Sequence, residues 1–461
     1  MKKIAIIGAG PAGLAAASSL AKEQDNLIFI FDKGKDLLKR NHKDSNDLGV
    51  GVGGTGLFSD GKISFFPSGS NLYKFLEAYL LLKSHKWLEN ELNEANINCY
   101  PFPKENFQLP QLKDSFFSKT YPSIYASLEQ RLSLLSGIIN KLKNTNIFSQ
   151  YEVEKIIKKQ DCYEIQATNL LTNESLNIKV DKVIIGGGRL SEIDKLIPDL
   201  KLMPMRFELG VRIETDGSPN FFKEKNNDIK KIWTFSDGLE IRTFCTCRNG
   251  EIYNLSYGNI SALSGRADGE VTNFSNLGFL IRFTGKRLED GERIWNKLIN
   301  NKELQAGYCF WQPLNSFLQQ ASSFTEKKSE MQKYIKKVLN VENTLSAIDV
   351  SNRPWYPKEK FKFSDLTEIL GPQFTDILAS SIIKLVELDN GFLKSNAIII
   401  FPCIEGVGYY PETNEHLESV SHNNIWFAGD NVGSFRGIVP AFLSGYYVGE
   451  VILKGNCSNN L

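Results

Sequence analysis

The stretch "KIAIIGAGPAGLAAASSL" near the N-terminus constrains the fold more than any other part of the chain. Ile4 to Ile7 is an apolar run suited to a buried parallel strand. Gly8, Gly10 and Gly13 then follow with the spacing G-x-G-x-x-G. In that pattern the first glycine permits a tight turn and the second lets the backbone approach a pyrophosphate. The third allows close packing of helix on strand. A helix from about Pro11 to Ala21, running on from Ala12, would aim its first N–H groups at the phosphates. A secretory leader is the competing reading, because Lys2 and Lys3 precede an apolar run. Gly-x-Gly-Pro interrupts that run too early for a leader. A second apolar run, "NLIFIFDKG", ends at Asp32 with Lys33 beside it. This is close to the offset of roughly 20 residues at which an acid meets an adenosine ribose. The order strand, turn, helix, strand, acid predicts an α/β dinucleotide-binding domain.

With 461 residues the chain has room for two or three domains. A net charge of +1 gives no electrostatic case for nucleic acid or an acidic membrane surface, and neither is expected as a partner. No apolar run reaches the roughly 18 residues that a membrane span needs, so a cytoplasmic location is expected. Seven cysteines scattered over such a length do not form a disulfide framework. With four histidines and no ligand-type spacing, no metal site is expected.

The nucleotide-type segments recur. "VDKVIIGGG" reads as another buried parallel strand ending in glycines, and "NIWFAGDNVGSFRGIVPAFLSGYYVGE" reads as strand, glycine-rich turn and helix. Between them, residues 70–145 carry helical spacing, and "YEVEKIIKKQDCYEIQATN" alternates like a hairpin. "RFELGVRIET" and "EIRTFCTCRNGEIYNLSYG" read as long strands, the second turning at Asn249-Gly250. A discontinuous organisation follows. Residues 1–65, 146–200 and 400–461 form a dinucleotide domain, 66–145 a helical insertion, and 201–399 a substrate or cap domain.

The terminal stretch "WFAGDNVG…RGIVPAFLSG" resembles the second FAD-binding motif of glutathione-reductase-type flavoproteins. The segment "GVGGTGLFSDGK" is similar to the G-G-x-G-T-F-S-D-G-K stretch of the FAD-dependent dehydrogenases, and "RTFCTCRNGE" resembles a substrate-domain strand of that family. The resemblance implies a three-layer Rossmann-like FAD-binding domain with an inserted α+β substrate domain, and FAD as cofactor. It implies that Gly429 and Asp430 meet the ribityl chain. The helix starting near Gly437-Ile438 would then point at the flavin pyrimidine ring. Gly53, Gly54, Thr55 and Gly56 would let the main chain pass a flat ring or a phosphate without a Cβ clash. Val153 follows the pattern of a strand residue whose backbone meets adenine, with core packing as its other reading. Gly187 ends a strand near the adenosine half.

Four residues are candidates for chemistry. Asp60 and Lys62 follow the flavin-facing glycines; an Asp there can take a proton and a Lys can stabilise anionic reduced flavin, although Asp60-Gly61 also reads as a plain turn. Arg242 can clamp a substrate carboxylate or phosphate or form an ordinary ion pair. Arg436 precedes the flavin-facing helix. Cys245 and Cys247 alternate onto one strand face and read as buried apolar-like cysteines. The reading is an FAD-dependent oxidoreductase, a dehydrogenase or reductase, that moves hydride between flavin N5 and a small organic substrate. The electron partner stays open. A flavin-dependent monooxygenase, a tRNA-modifying flavoprotein and a non-redox flavin isomerase or cyclase are the alternatives.

Overall fold

The computed structural model describes residues 1–59, 61–104, 114–189, 191–223, 228–257, 260–266, 270–322 and 348–458. Asp60 lies outside them. The chain is mixed α/β and divides into two units. Among the described residues no helix is long and apolar enough to cross a membrane.

The first unit comprises Met1–Pro110, Tyr121–Met205 and Tyr409–Leu461. Its centre is a parallel sheet of five strands, in the order Ile425–Phe427, Lys182–Ile185, Lys2–Ile7, Asn26–Asp32 and Thr145–Ser149. The middle strand is apolar because it has neighbours on both sides and cover on both faces: Ile4, Ala5 and Ile6 are fully buried. Register pairs Ile7 with Ile185 on one side and with Phe31 on the other. The strands Tyr151–Lys158, Tyr163–Asn169 and Ser175–Val180 form a separate antiparallel sheet, so "YEVEKIIKKQDCYEIQATN" is a hairpin with a third strand added.

Helix Pro11–Leu20 packs against the last helix, Ile438–Ser458, through small residues. A Cβ at Gly445 would stand 2.0 Å from the Ala12 carbonyl oxygen, and one at Gly449 would stand 2.5 Å from Ser19 Cβ. Glu450 closes this contact: it accepts from Ser19 Oγ at 3.0 Å and Lys22 Nζ at 2.7 Å, and from Lys83 Nζ. Helix Ala78–Glu94 adds Trp87, stacked on Tyr446 at 4.6 Å between ring centroids. Helix Leu128–Lys141 starts on a capping box in which Ser127 accepts from the Gln130 N–H and Gln130 accepts from the Ser127 N–H.

The second unit comprises Gln111–Thr120 and Arg206–Gly408. Its main sheet has eight strands, ordered Phe361–Phe363, Cys309–Pro313, Ile398–Pro411, Leu202–Thr215, Ser275–Phe283, Leu239–Cys247, Asp228–Thr234 and Ser115–Tyr121. The last of these falls in the 70–145 stretch that the periodicity assigns to helix; "SFFSKTY" is instead an edge strand. One face is apolar, with Phe207, Leu209, Val211, Trp233, Ile241, Phe279, Ile281 and Phe283 packed against helix residues such as Phe374, Leu378 and Ile382. The Asn249-Gly250 turn differs from expectation. The strand before it, Leu239–Cys247, stays in the eight-stranded sheet, whereas Glu251–Tyr257 joins a three-stranded sheet with Ile260–Arg266 and Trp355–Tyr356. The turn is held from elsewhere, with Asn249 N–H on Ser275 Oγ and Gly250 N–H on the Phe274 carbonyl, so its flanks diverge instead of pairing. Nor do Cys245 and Cys247 alternate simply. The register shifts between Phe244 and Cys247, and Cys245 adopts φ of 45°.

The helix contact yields a paired test. Gly445→Ala forces a Cβ onto the Ala12 carbonyl and should destabilise the first unit by about 2–3 kcal/mol. Gly137→Ala, in helix Leu128–Lys141 with nothing within 4 Å of its new Cβ, should instead stabilise by about 0.5–1 kcal/mol. Urea unfolding of the two variants beside the parent measures both. Equal midpoints would contradict this account of the helix pair.

Candidate functional site

The C-terminal ends of the parallel strands gather most of the sequence-derived candidates. Ile7 leads into Gly8, the second strand ends at Asp32, Ile185 leads into Gly186–Gly188, and Phe427 leads through Ala428 to Gly429 and Asp430. In open parallel sheets ligands bind at this edge, where connections leave the central strand in opposite directions.

The first turn is built as its spacing requires. Gly8 has φ of 101°, and a Cβ there would lie 2.6 Å from the Gly186 carbonyl oxygen. A Cβ at Gly13 would lie 1.9 Å from the Gly8 carbonyl oxygen, so helix and strand approach only because Gly13 lacks one. Gly10 is different. A Cβ there would meet only Gly54 Cα, at 3.6 Å, so the protein itself leaves room at this position. Gly10 is also the N-cap of helix Pro11–Leu20, and no side chain caps it. Its first N–H groups therefore face whatever occupies the turn.

The glycine segment crosses the same point. Gly53 N–H donates to the Ala9 carbonyl at 2.8 Å, and Gly54, with φ of 68°, sits over Gly10 and Pro11. Thr55 opens a short 3-10 turn, Thr55–Phe58, and is exposed. Gly56 faces Ile438, whose Cγ1 would be 3.2 Å from an added Cβ. Thus Gly10, Gly54, Gly56 and Ile438 come together.

Arg40 holds this segment in place. Buried, it donates from Nη1 to the carbonyls of Val52 at 2.8 Å and Gly54 at 2.9 Å, and from Nη2 to Asp47 O at 2.6 Å. Burial lowers its pKa to about 10, against the pull of Asp32 and Asp47. In the sequence Arg40 sits in the polar run "LLKRNHKDSND" and looks solvated. The signal that singles it out is three-dimensional: a strained glycine turn whose carbonyls need a donor.

Asp32 ties the two turns together. Its Oδ2 accepts from Ala9 N–H and its Oδ1 from Gly34 N–H, each at 2.9 Å. Desolvation raises its pKa, and these two N–H donors pull it back. Lys33 points away, 4.0 Å from Glu152. Gly187 lies against Ser191, and a Cβ there would be 3.1 Å from Ser191 Cβ. Val153 is buried in the antiparallel sheet, opposite Ala167.

At the far end Gly429 has φ of 69° and lies against Ala12, with its N–H on Ser444 Oγ at 2.9 Å. Asp430 Oδ2 accepts from Arg436 Nε at 3.2 Å. Its Oδ1 is buried and has no partner among the described residues. A buried carboxylate oxygen normally finds a donor, so a hydroxyl-bearing group fits there. Asn431, which the sequence did not single out, pairs with Gly188 in both directions at 2.9 Å. Gly437 has φ of 112° just before the last helix. Lys62 opens a short strand paired with Ser123–Tyr125. Arg242 is in the second unit, where it ion-pairs with Glu208 and, at 3.6 Å, with Glu240.

No protein-family model matches the sequence, and no curated protein matches it as a relative. Solved structures to which the chain is similar include the tetracycline destructase Tet(51), at TM-score 0.36 and 12% identity over 99% of this chain and 82% of that one. FqzB gives 0.39 and 12% over 97% and 75%. The anhydrotetracycline hydroxylase OxyS from Streptomyces rimosus gives 0.37 and 11% over 98% and 63%. At these scores the functional reading rests on this chain's own residues.

Removing the Arg40 clamp should loosen the turn without unfolding the sheet. In Arg40→Met the carbonyls of Val52, Gly54 and Asp47 lose their donor, which costs about 2–4 kcal/mol of local stability. Amide exchange over residues 51–56 should then quicken roughly 30- to 1,000-fold while the strand Lys2–Ile7 keeps its protection. Parent-like exchange at 51–56 would rule out the clamp.

Proposed function

We propose that the protein is an FAD-dependent oxidoreductase, a dehydrogenase or reductase acting on a small organic molecule, with the cofactor along the C-terminal edge of the parallel sheet. In this reading the first unit is a three-layer Rossmann-like FAD-binding domain and the second is its inserted substrate domain. One observation carries the proposal. An uncapped helix start at Gly10, a glycine segment lying over it, and a buried carboxylate oxygen of Asp430 with no described partner share one sheet edge.

Each residue then has a task. The N–H groups at the start of helix Pro11–Leu20 bind the pyrophosphate, and Gly10 leaves it room. Asp32, bonded to Ala9 and Gly34, retains acceptor capacity for an adenosine ribose hydroxyl. Asp430 Oδ1 accepts from a ribityl hydroxyl, and Arg436 holds the other oxygen. The N-terminus of the last helix, after Gly437-Ile438, favours negative charge beside the pyrimidine ring. When bound, the flavin supplies hydride chemistry. Asp60 and Lys62 are placed by the sequence to hold or accept a proton next to it.

The purified protein should be yellow and release FAD, not FMN, on heating, because the Gly8–Gly13 turn and Asp32 serve an adenosine diphosphate that FMN lacks. Gly10→Val should lose flavin and unfold as the flavin-stripped parent does, since nothing in the protein crowds that Cβ. Asp430→Ala should weaken flavin affinity about 10- to 100-fold, the worth of one charge-assisted hydrogen bond. Stoichiometric flavin in Gly10→Val would put the cofactor elsewhere.

A further inference from the structure

The second unit carries a group of charges that the proposed cofactor site does not use. Its eight-stranded sheet turns alternate residues into the apolar core, so the residues between them share the opposite face. Register places Glu208 opposite Arg282, and Arg282 opposite Glu240, on that face. Arg206 and Arg242 lie two residues along from Glu208 and Glu240. Lys230 lies two residues before Ile232, the partner of Arg242. Strand Ser115–Tyr121 adds Lys119, in step with Ser115, whose hydroxyl bonds that of Thr234 at 2.9 Å.

Among the described residues, Arg206, Arg242, Arg282, Lys119 and Lys230 surround Glu208 and Glu240 on this face, which carries Arg212 and Glu214 farther along the strand Leu202–Thr215. Glu208 is fully buried and receives Arg282 Nε at 2.5 Å, Arg206 Nε at 3.3 Å and a guanidinium N–H of Arg242. Glu240 is shared by Arg282 at 3.3 Å and Arg242 at 3.6 Å. Burial, with Lys230, Arg242 and Arg282 nearby, lowers the Lys119 pKa to about 7. Burial is the larger cause of that shift, and the neighbouring cations add to it. The face is not sealed: the side chains of Arg282 and Glu240 are 24% and 20% exposed. The neighbouring strand supplies Gly406, where a Cβ would come 3.1 Å from Glu208 Cγ and 3.3 Å from Arg206 Cγ. Lacking one, it lets the Glu208 and Arg206 side chains pack directly against its backbone.

We propose that this sheet face binds an oxyanion, the carboxylate or phosphate group of a small organic molecule, through Lys119, Lys230, Arg242 and Arg282. Two guanidinium groups held in fixed orientation suit the planar or tetrahedral oxygens of such a group. Glu208 is a positioning residue: it fixes the arginines and does not meet the ligand. That the anion belongs to the substrate rests on the oxidoreductase reading; the binding itself does not.

The test is calorimetric titration of the full-length protein with inorganic phosphate and, separately, with succinate, in a dialysed chloride-free buffer of low ionic strength. At least one probe should bind saturably at one site, and the tighter of the two identifies a phosphate or a carboxylate source. Lys119→Met leaves the Glu208 ion pairs intact and should weaken that binding about tenfold. Arg242→Lys keeps the charge but loses the two-pronged contact and should weaken it by a similar factor. Lys231→Met is the control, because Lys231 Nζ bonds Ser118 Oγ at 3.1 Å on the other parity of both strands. Its affinity should match the parent. The proposal is overturned if neither probe saturates, or if Lys119→Met and Arg242→Lys both bind as tightly as the parent. Flavin content read on the same samples keeps the two ideas apart. Normal flavin without anion binding removes only the oxyanion site, and anion binding in a flavin-free protein removes only the cofactor reading.

Discussion

The contact between Gly13 and the Gly8 carbonyl sets the geometry of the first unit. It draws helix Pro11–Leu20 onto its own strand so closely that no side chain fits between them. Because the helix is there, its N-terminus opens at the end of the central strand, and the glycine segment 51–56 can be laid across it by Arg40. Because the helix surface is alanine and serine, the last helix can lie against it through Gly445 and Gly449. That second contact fixes where Gly429, Asp430 and Ile438 stand relative to Gly10. The site is therefore a product of backbone proximity more than of side-chain reach.

Much of this was legible in the sequence, for a physical reason. Gly8, Gly10, Gly13, Asp32, Gly54, Gly429 and Asp430 belong to short segments whose local conformation is dictated locally, by positive φ, a strand end or a helix start. The sheet then brings those segments to one edge. Arg40, Asn431 and Lys119 were not legible, because each is defined by a partner far along the chain or across a turn. Arg40 reads as a surface cation until the carbonyls of Val52 and Gly54 are seen around it. The Asn249-Gly250 turn shows the opposite failure: its local chemistry is that of a hairpin, but Ser275 and Phe274 capture it, and its flanks enter different sheets.

The two units solve the burial of charge in different ways. In the first, Arg40 is satisfied mostly by backbone carbonyls, so it stays charged while stiffening a loop. In the second, Glu208 gathers three arginines. A carboxylate at 0% exposure is costly alone, and three guanidinium groups offset part of that cost.

The bond between Ser19 and Glu450 spans 431 positions of the chain. During synthesis at about 5–20 residues per second, the opening strand and helix leave the ribosome tens of seconds before the helix that covers them. Until then the alanine face of Pro11–Leu20 lies bare, and the strand Lys182–Ile185 lacks the neighbour that Ile425–Phe427 will provide. The second unit, whose Arg206–Gly408 portion is translated in between, has every strand of its large sheet available before that closure occurs. The residues that enclose helix Pro11–Leu20 are thus translated after every strand of the second unit's large sheet.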